Sequence, residues 1–225
     1  MKQSPARSEE ARENAKSGQG TCVESVRMGA SGTAIVAAGG SSHLFRLSQA
    51  EELGLESSSL VAGADLGEAG LAILAVASEA YEAEKRALAL LSRAEQSMHL
   101  LGQKLEKRGL SRVAVRIALE RLSTEGLLSD RRYAEAYAAS RLSRRAEGPA
   151  SLQSSLRGRG VDGETAKAAV AAVLGPGERI SALAKAAEKE LRRSGGDRDA
   201  ARRRLRGLGF KSDEINGYFD PDSGD

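Results

Sequence analysis

The sequence predicts a mainly α-helical protein made of tandem three-helix repeats in an elongated array, preceded by a small β-hairpin or meander module. The repeat shows in a short signature that occurs three times, at residues 105–110, 156–161 and 205–210, with offsets of 51 and 49 residues. In each copy a leucine is followed four residues later by glycine and then by an apolar residue. Glycine followed by an apolar residue is typical of a Schellman helix end, so each copy predicts the end of a short helix.

A second helix is expected directly after each signature. The residues in the cap positions are Ser111, Asp162, and either Ser212 or Asp213, and their side chains can accept from free N–H groups of the first turn. A third helix follows in the first two repeats, whereas the third repeat stops after two. We therefore divide the chain into a disordered tail (1–20), a small β-containing module with a linker (21–70), a connecting helix (71–96), two three-helix repeats (97–146 and 147–195), and a partial third repeat with an acidic tail (196–225).

The module ahead of the repeats has a different texture. Residues 22–28, 33–38 and 43–47 are short segments separated by glycine-rich breaks, which predicts a small β-meander or hairpin. Ser48 and Glu51 have the spacing of a capping box and predict a short helix after the last strand. Residues 1–20 are rich in Ser, Glu, Lys and Gly, a composition typical of disorder.

Composition limits the chemistry that the chain can perform. The sequence is 40% hydrophobic but only 3% aromatic, so its core must be built from Ala, Leu and Val, which suits close helix packing. A single cysteine, Cys22, excludes an internal disulfide, and no Cys/His cluster predicts a metal site. His43 and His99 lie far apart, and no nucleophile elbow, phosphate-binding loop or carboxylate dyad is present. We expect no catalysis, no cofactor and no membrane span, and a cytoplasmic location.

The charge is distributed unevenly. Residues 1–83 carry 6 Lys and Arg against 11 Asp and Glu, residues 84–211 carry 28 against 15, and residues 212–225 carry none against 5. The positive surplus therefore falls on the repeats, and it predicts an anionic partner such as nucleic acid or an acidic protein surface. The alternative is a set of solvated helix faces with Arg–Glu pairs worth roughly 0–1 kcal/mol each.

Three features in order resemble the RecX family, bacterial regulators of the RecA recombinase. They are the leucine–glycine signature, the turn at residues 126–134, and Gly148-Pro149 ahead of the second signature. The resemblance spans roughly residues 87–219. Family members commonly have Lys before the signature glycine, where this chain has Arg108, Arg159 and Leu208. The turn usually carries two adjacent acids and basic residues follow the proline; this chain has Ser129-Asp130 and Ala150-Ser151.

The resemblance implies a binding protein, without chemistry of its own, that lies along the groove of the RecA–single-stranded DNA filament. We expect the protein itself to be a monomer. The resemblance also implies interference with ATP hydrolysis, strand exchange and coprotease activity, with DNA contacted directly or through RecA. An elongated array with a basic face would also gain avidity from contacts at several protomers. We expect the contacts to come from cations in the signature helices and the helices after them: Lys104, Lys107, Arg108, Arg112, Arg116, Arg157, Arg159, Arg198, Arg202, Arg203 and Arg206.

Two other functions fit parts of the sequence. A short helix, a glycine turn and a second helix imitate a helix-turn-helix, which would make the chain a direct DNA-binding protein. A helical scaffold whose arginines serve only solubility is the second. Against the helix-turn-helix, the turn occurs three times and no helix is rich in Asn or Gln.

Arg198, Arg202 and Arg206 recur every four residues, so one helix is expected to present a continuous basic stripe.

Overall fold

Three antiparallel strands open the part of the chain that this computed structural model describes, residues 20–220. Strands β1 (Val23–Met28), β2 (Thr33–Ala38) and β3 (Ser41–Arg46) pair in the order β1-β2-β3. Gly39 and Gly40 join β2 to β3 with φ of +58° and +69°, the positive values that a two-residue type I′ hairpin requires at both positions. The predicted meander is confirmed. The tail predicted for residues 1–20 lies outside the described residues, except for Gly20.

One face of the sheet is buried against helix α2 (Gly67–Leu91). Alternate residues of β2 are fully buried, as expected for a half-buried strand, and they share a core with Phe45 and Leu74. The segment before α2, predicted as a linker, belongs to the same module: Leu60 is buried in this core. Val23 donates its N–H to the Ala64 carbonyl at 2.8 Å, so this segment is bonded to β1.

The short helix α1 (Leu47–Glu52) follows β3 without a break. Its cap differs from the sequence prediction, because the helix begins one residue before Ser48. The Gln49 side chain, and not that of Glu51, accepts from the N–H of the cap residue Arg46 at 3.2 Å. The Ser48–Glu51 capping box is therefore wrong, although the helix itself is present.

The rest of the described chain is helical. The helices are α3 (Met98–Glu106), α4 (Arg112–Thr124), α5 (Asp130–Arg144), α6 (Pro149–Arg157), α7 (Gly163–Val173), α8 (Pro176–Arg193), α9 (Arg198–Gly207) and α10 (Ser212–Phe219). Within residues 20–220, no helix is both long and apolar enough to cross a membrane.

All three signatures end their helices as the sequence predicts. Gly109, Gly160 and Gly209 have φ of +86°, +81° and +87°. In each, the glycine N–H bonds to the carbonyl three residues back, and the next N–H bonds to the anchor leucine carbonyl five residues back. These are the two hydrogen bonds of the Schellman motif. The signature is thus a local device that closes a helix and places an apolar residue back on the core.

Two of the three caps after the signatures are confirmed. The Ser111 hydroxyl accepts from the N–H of Ala114, and an Asp162 carboxylate oxygen accepts from the N–H of Thr165 at 2.9 Å. The third prediction, Ser212 or Asp213, is wrong because α10 begins at Ser212 and its cap position is Lys211. There a Glu214 carboxylate oxygen accepts from the Lys211 N–H at 3.0 Å, which serves the same purpose from inside the helix.

The chain divides into two compact units. Of the described residues, one unit takes 20–90 together with 102–125, and the other takes 91–101 together with 126–220. In the first, Ala80 of α2 packs with Ala114 and Ile117 of α4. In the second, one core joins α5, α6 and α7, and another joins α8, α9 and α10.

The grouping of helices differs from the division into repeats predicted from the sequence. That division begins the second repeat at residue 147 and gives the third repeat only two helices. In the structure the second core already includes Ala134 and Ala138 of α5, and the third core includes Leu183 and Ala187 of α8. A longer helix therefore precedes each of these short helix pairs, and the third group has three helices. The packing of α8 could not be read from periodicity, because its neighbours are set by tertiary contacts.

Candidate functional site

The end of α3 presents exposed cations. Lys107 and Arg108 form no side-chain hydrogen bond or ion pair within the described residues, and Lys104 is exposed one turn earlier. The Arg112 side chain is 88% exposed, and its distance of 3.8 Å to the Glu106 carboxylate makes a weak ion pair. Arg116, in contrast, is engaged by two carboxylates of its own unit, Glu120 at 2.8 Å and Glu52 at 3.5 Å. Lys107 and Arg108 are therefore the most available cations of this signature.

In the second signature only Arg157 is fully available. It is exposed, and nothing in residues 20–220 pairs with its side chain. Arg159 is half-buried: its Nη1 donates to the Ser155 carbonyl at 2.9 Å and its guanidinium lies 4.4 Å from the Tyr137 ring centre. Burial raises the pKa of the neighbouring Tyr133 hydroxyl, and the Arg159 charge opposes that rise. Arg159 acts as a structural cation over the tyrosines of α5.

The predicted basic stripe of α9 is partly covered. Arg198 and Arg202 lie 5.3 and 5.2 Å from the ring centre of Phe219, and both pair with the Asp220 carboxylate. Arg202 also reaches Asp199 at 3.3 Å. The third member of the stripe, Arg206, is exposed without a side-chain partner in the described chain. The stripe exists, but intramolecular contacts hold two of its three members.

Two further arginines of α9 lie directly before the third signature. Arg203 is exposed and forms no ion pair among residues 20–220, although its charge helps to lower the pKa of Asp197 after the larger effect of the hydrogen bond from the Ala200 N–H. Arg204, which the sequence did not single out, pairs with the buried Glu190 at 3.4 Å. Five of the eleven predicted cations are thus exposed and unpaired at signature ends: Lys107, Arg108, Arg157, Arg203 and Arg206.

The turn that resembles the family motif has an architectural role. An Asp130 carboxylate oxygen accepts from the Met98 N–H at 2.7 Å, which caps the first turn of α3. Arg132 donates to the carbonyls of Gly126 and Leu127 at 2.9 and 3.0 Å and so fixes the turn before α5. These side chains are occupied by the protein itself, which makes them poor candidates for partner contacts.

The motif glycines allow close approach of segments in the second unit. Gly148 donates its N–H to the Leu208 carbonyl at 2.8 Å, and a Cβ on Gly148 would lie 2.3 Å from backbone atoms of Gly209. A Cβ on Gly160 would lie 2.2 Å from the Cβ of His99. Both positions require glycine for packing as well as, at Gly160, for positive φ.

A buried ion-pair cluster around Glu84 lies in the first unit, and it was not predicted from the sequence. Glu84 is almost fully buried on α2 and is bound by Arg46 at 2.7 Å and Arg121 at 3.2 Å, and the Gln49 amide donates to it at 3.3 Å. The hydrogen bond to Glu84 raises the pKa of the Arg46 guanidinium. The contacts join residues distant in the chain, so periodicity could not reveal them. Arg121 also pairs with Glu125 at 2.5 Å, so two carboxylates balance the two arginines.

The described residues contain no group of three or more His, Cys, Asp or Glu side chains that could hold a metal ion. Two basic surface features are available to an anionic partner: the unpaired cations at the signature ends and a basic cleft in the second unit.

Comparison with known proteins agrees with the helical grouping. Residues 129–170 match a model of the second three-helix domain of RecX. That segment starts at the Ser129 cap of α5 and ends inside α7, so it covers the second core described above except for Leu174 and its neighbours at the end of α7.

Whole-protein comparisons extend the match. A regulatory protein RecX from Halorhodospira halophila is 37% identical over 136 residues, which cover 57% of this chain and 81% of that relative. A regulatory protein RecX from Xanthomonas campestris is 38% identical over 87 residues, which cover 39% of this chain and 53% of the relative.

Two crystal structures share the fold. A regulatory protein RecX superposes with a TM-score of 0.67, 20% identity, and coverage of 88% of this chain and 98% of that one. RecX from Lactobacillus salivarius superposes with a TM-score of 0.58 at 20% identity, and the match covers 64% of this chain and 97% of that one.

Proposed function

Since the chain belongs to the RecX family of regulatory proteins, we propose that it binds the RecA–single-stranded DNA filament and inhibits its ATPase, recombinase and coprotease activities. In this proposal it acts in the cytoplasm as a binding protein, and its effect on the filament comes from occupying a surface and not from chemistry of its own.

The observation that supports the proposal is the repeated presentation of cations. Each Schellman end carries at least one exposed Lys or Arg that no described side chain neutralises. Cations in the last turn of a helix also stabilise its dipole by roughly 0.3–1 kcal/mol, so position alone does not require a partner. The surplus of positive charge supports an anionic partner, because residues 84–211 carry 28 Lys and Arg against 15 Asp and Glu.

A direct readout of bases fits less well for α7 and α10, the helices that follow the second and third signatures. The outer face of α7 carries Glu164 and Lys167 and otherwise alanines, and α10 begins with the acids Asp213 and Glu214. Bases are usually read by Arg, Lys, Asn or Gln side chains of a helix in the major groove. These helices lack such a face, which favours contacts to a filament over a helix-turn-helix that reads sequence.

Cosedimentation with RecA filaments on single-stranded DNA, at several salt concentrations, tests the proposal. We expect binding that weakens with salt and exceeds binding to bare single-stranded DNA. If DNA phosphates supply the contacts, neutralising one contacting cation would reduce the slope of log affinity against log salt by about one unit. Absence of cosedimentation at low salt with a folded chain would refute the proposal.

A further inference from the structure

A cleft of about 760 Å³ opens in the second unit between the C-terminal end of α5 and one face of α8. Its floor is aliphatic and comes from three helices and their junctions: Leu142, Val173, Leu174 and Ala182. Its sides carry four cations, Arg144 and Arg145 from the end of α5 and Lys185 and Lys189 from α8. None of these four residues was predicted as a contact from the sequence.

The four cations are left without internal neutralisation. All are exposed, and none forms a side-chain hydrogen bond or ion pair within the described part of the chain. The only acid in the lining is Glu178. By contrast, Arg141, one turn earlier on α5, is held by Glu147 at 2.5 Å. The cation beside the cleft is therefore paired within the protein, whereas the four cations that line the cleft are available to an anionic ligand.

The spacing of these charges suits a helical or extended acidic segment. Lys185 and Lys189 are four residues apart on α8 and so lie on the same face, opposite Arg144 and Arg145 across the floor. Carboxylates of a bound segment could pair with both sides at once. Aliphatic side chains of the same segment would then cover the floor, as apolar anchors do at the centre of protein interfaces.

We propose that this cleft binds an acidic, aliphatic segment of the partner protein. The inference rests on the proposed function, in which that partner is RecA, and it assigns the cleft to the protein component of the filament. The floor decides against DNA: sites for single-stranded nucleic acid combine cations with aromatic rings on which bases stack. The described lining residues of this cleft include no aromatic side chain.

A photo-crosslinker placed in the cleft tests the assignment. The variant Ser181→p-benzoylphenylalanine carries the probe on an exposed lining residue, and Ala168→p-benzoylphenylalanine places it on the exposed face of α7 as the control. Each full-length chain is irradiated with RecA filaments on labelled single-stranded DNA, and adducts are mapped by mass spectrometry. We expect the Ser181 probe, but not the Ala168 probe, to react with a RecA segment rich in Asp and Glu.

Three results would overturn the cleft assignment: an adduct with DNA, an adduct with a RecA segment that has no acids, or no adduct in a sample that still inhibits ATP hydrolysis. A chain that neither cosediments with filaments nor inhibits them would instead overturn the proposed function. The two failures are thereby distinguished.

Charge-neutralising variants give a second readout. Arg144→Gln/Arg145→Gln and Lys185→Gln/Lys189→Gln should each weaken filament binding about fivefold without changing the thermal midpoint. The control Arg27→Gln/Lys167→Gln removes two exposed, unpaired cations elsewhere and should leave affinity unchanged. Affinity for bare single-stranded DNA should be the same in all variants. An equal loss on bare DNA would show that the cleft binds nucleic acid and would overturn the proposal.

Discussion

The carboxylate of Asp220 pairs with the guanidinium of Arg202, and both Arg202 and Arg198 cover the ring of Phe219. The last described residue thus neutralises part of the basic stripe on α9. An anionic partner that used this stripe would first have to displace the carboxylate.

Asp220→Asn should release the two arginines. Because the pair is partly exposed, we expect little change in thermal midpoint, and filament inhibition at about half the wild-type concentration at low salt. Asp213→Asn is the control, since it removes one exposed acid of the neighbouring helix that has no ion pair in the described chain. Equal titration curves for both variants and wild type would show that the stripe plays no part in binding.

Alanine substitutions at three glycines separate the energetic cost of backbone strain from that of steric overlap. Gly109→Ala adds a Cβ at φ +86° into open space and should cost about 1 kcal/mol. Gly160→Ala adds the same strain and also meets the His99 Cβ, so we expect more than about 3 kcal/mol. Gly163→Ala lies in the first turn of α7 with open space and negative φ, and should be neutral or slightly stabilising. Urea unfolding measures all three; equal costs at Gly109 and Gly160 would contradict the close packing.

Glu84→Gln should destabilise the first unit by about 3 kcal/mol, because it leaves Arg46 without its buried anion and Arg121 with Glu125 alone. Glu82→Gln provides the comparison on the same helix. Its pairs with Lys85 and Arg86 are exposed, and their loss should cost less than about 1 kcal/mol. Chemical unfolding monitored by circular dichroism gives both values, and similar small losses would mean that the buried cluster contributes no more than a surface pair.

The cap of α7 predicts a pH dependence. Hydrogen bonds from Thr165, first its hydroxyl and then its N–H, lower the pKa of Asp162. A lowered folded pKa means that the stabilisation is present above the unfolded value, near pH 3.8, and is lost as pH falls through the folded value. Asp162→Asn keeps a cap but has no such titration. The thermal midpoint of wild type should therefore drop more than that of the variant on acidification below about pH 4. Parallel curves would show that the carboxylate form contributes nothing.

The sequence predicted the features that depend on neighbouring residues. A leucine, a glycine and an apolar residue at fixed spacing are enough for a Schellman end, and all three formed. Two of three caps followed for the same reason, and the third moved because the Glu214 side chain could serve the Lys211 N–H. The meander was equally local, since paired glycines fix its tight turn.

The partners of the charged side chains could not be predicted, because they come from distant segments. Helical spacing correctly aligned Arg198 and Arg202, yet Asp220 reaches them from 22 and 18 positions away. The sequence does not distinguish Arg159 from a surface cation, because its contact with the Tyr137 ring of α5 forms only in the folded chain. The cleft cations Arg144 and Lys185 lie on different helices, 41 positions apart in the sequence, and only folding brings them to one surface.

The central claim is that unpaired cations at the signature ends engage the RecA filament. The most direct test is ATP hydrolysis by RecA on single-stranded DNA, titrated with Lys107→Gln/Arg108→Gln, Arg157→Gln and Arg203→Gln/Arg206→Gln. The control, Arg131→Gln/Arg192→Gln, removes two cations that are already paired on their own helices. We expect each test variant to need a higher concentration for half-inhibition, and the control to match wild type. The loss should be larger at low salt than at raised salt, because salt screens the contacts that the variants remove. Full inhibition by all test variants at wild-type concentrations, at both salt levels, would contradict the claim.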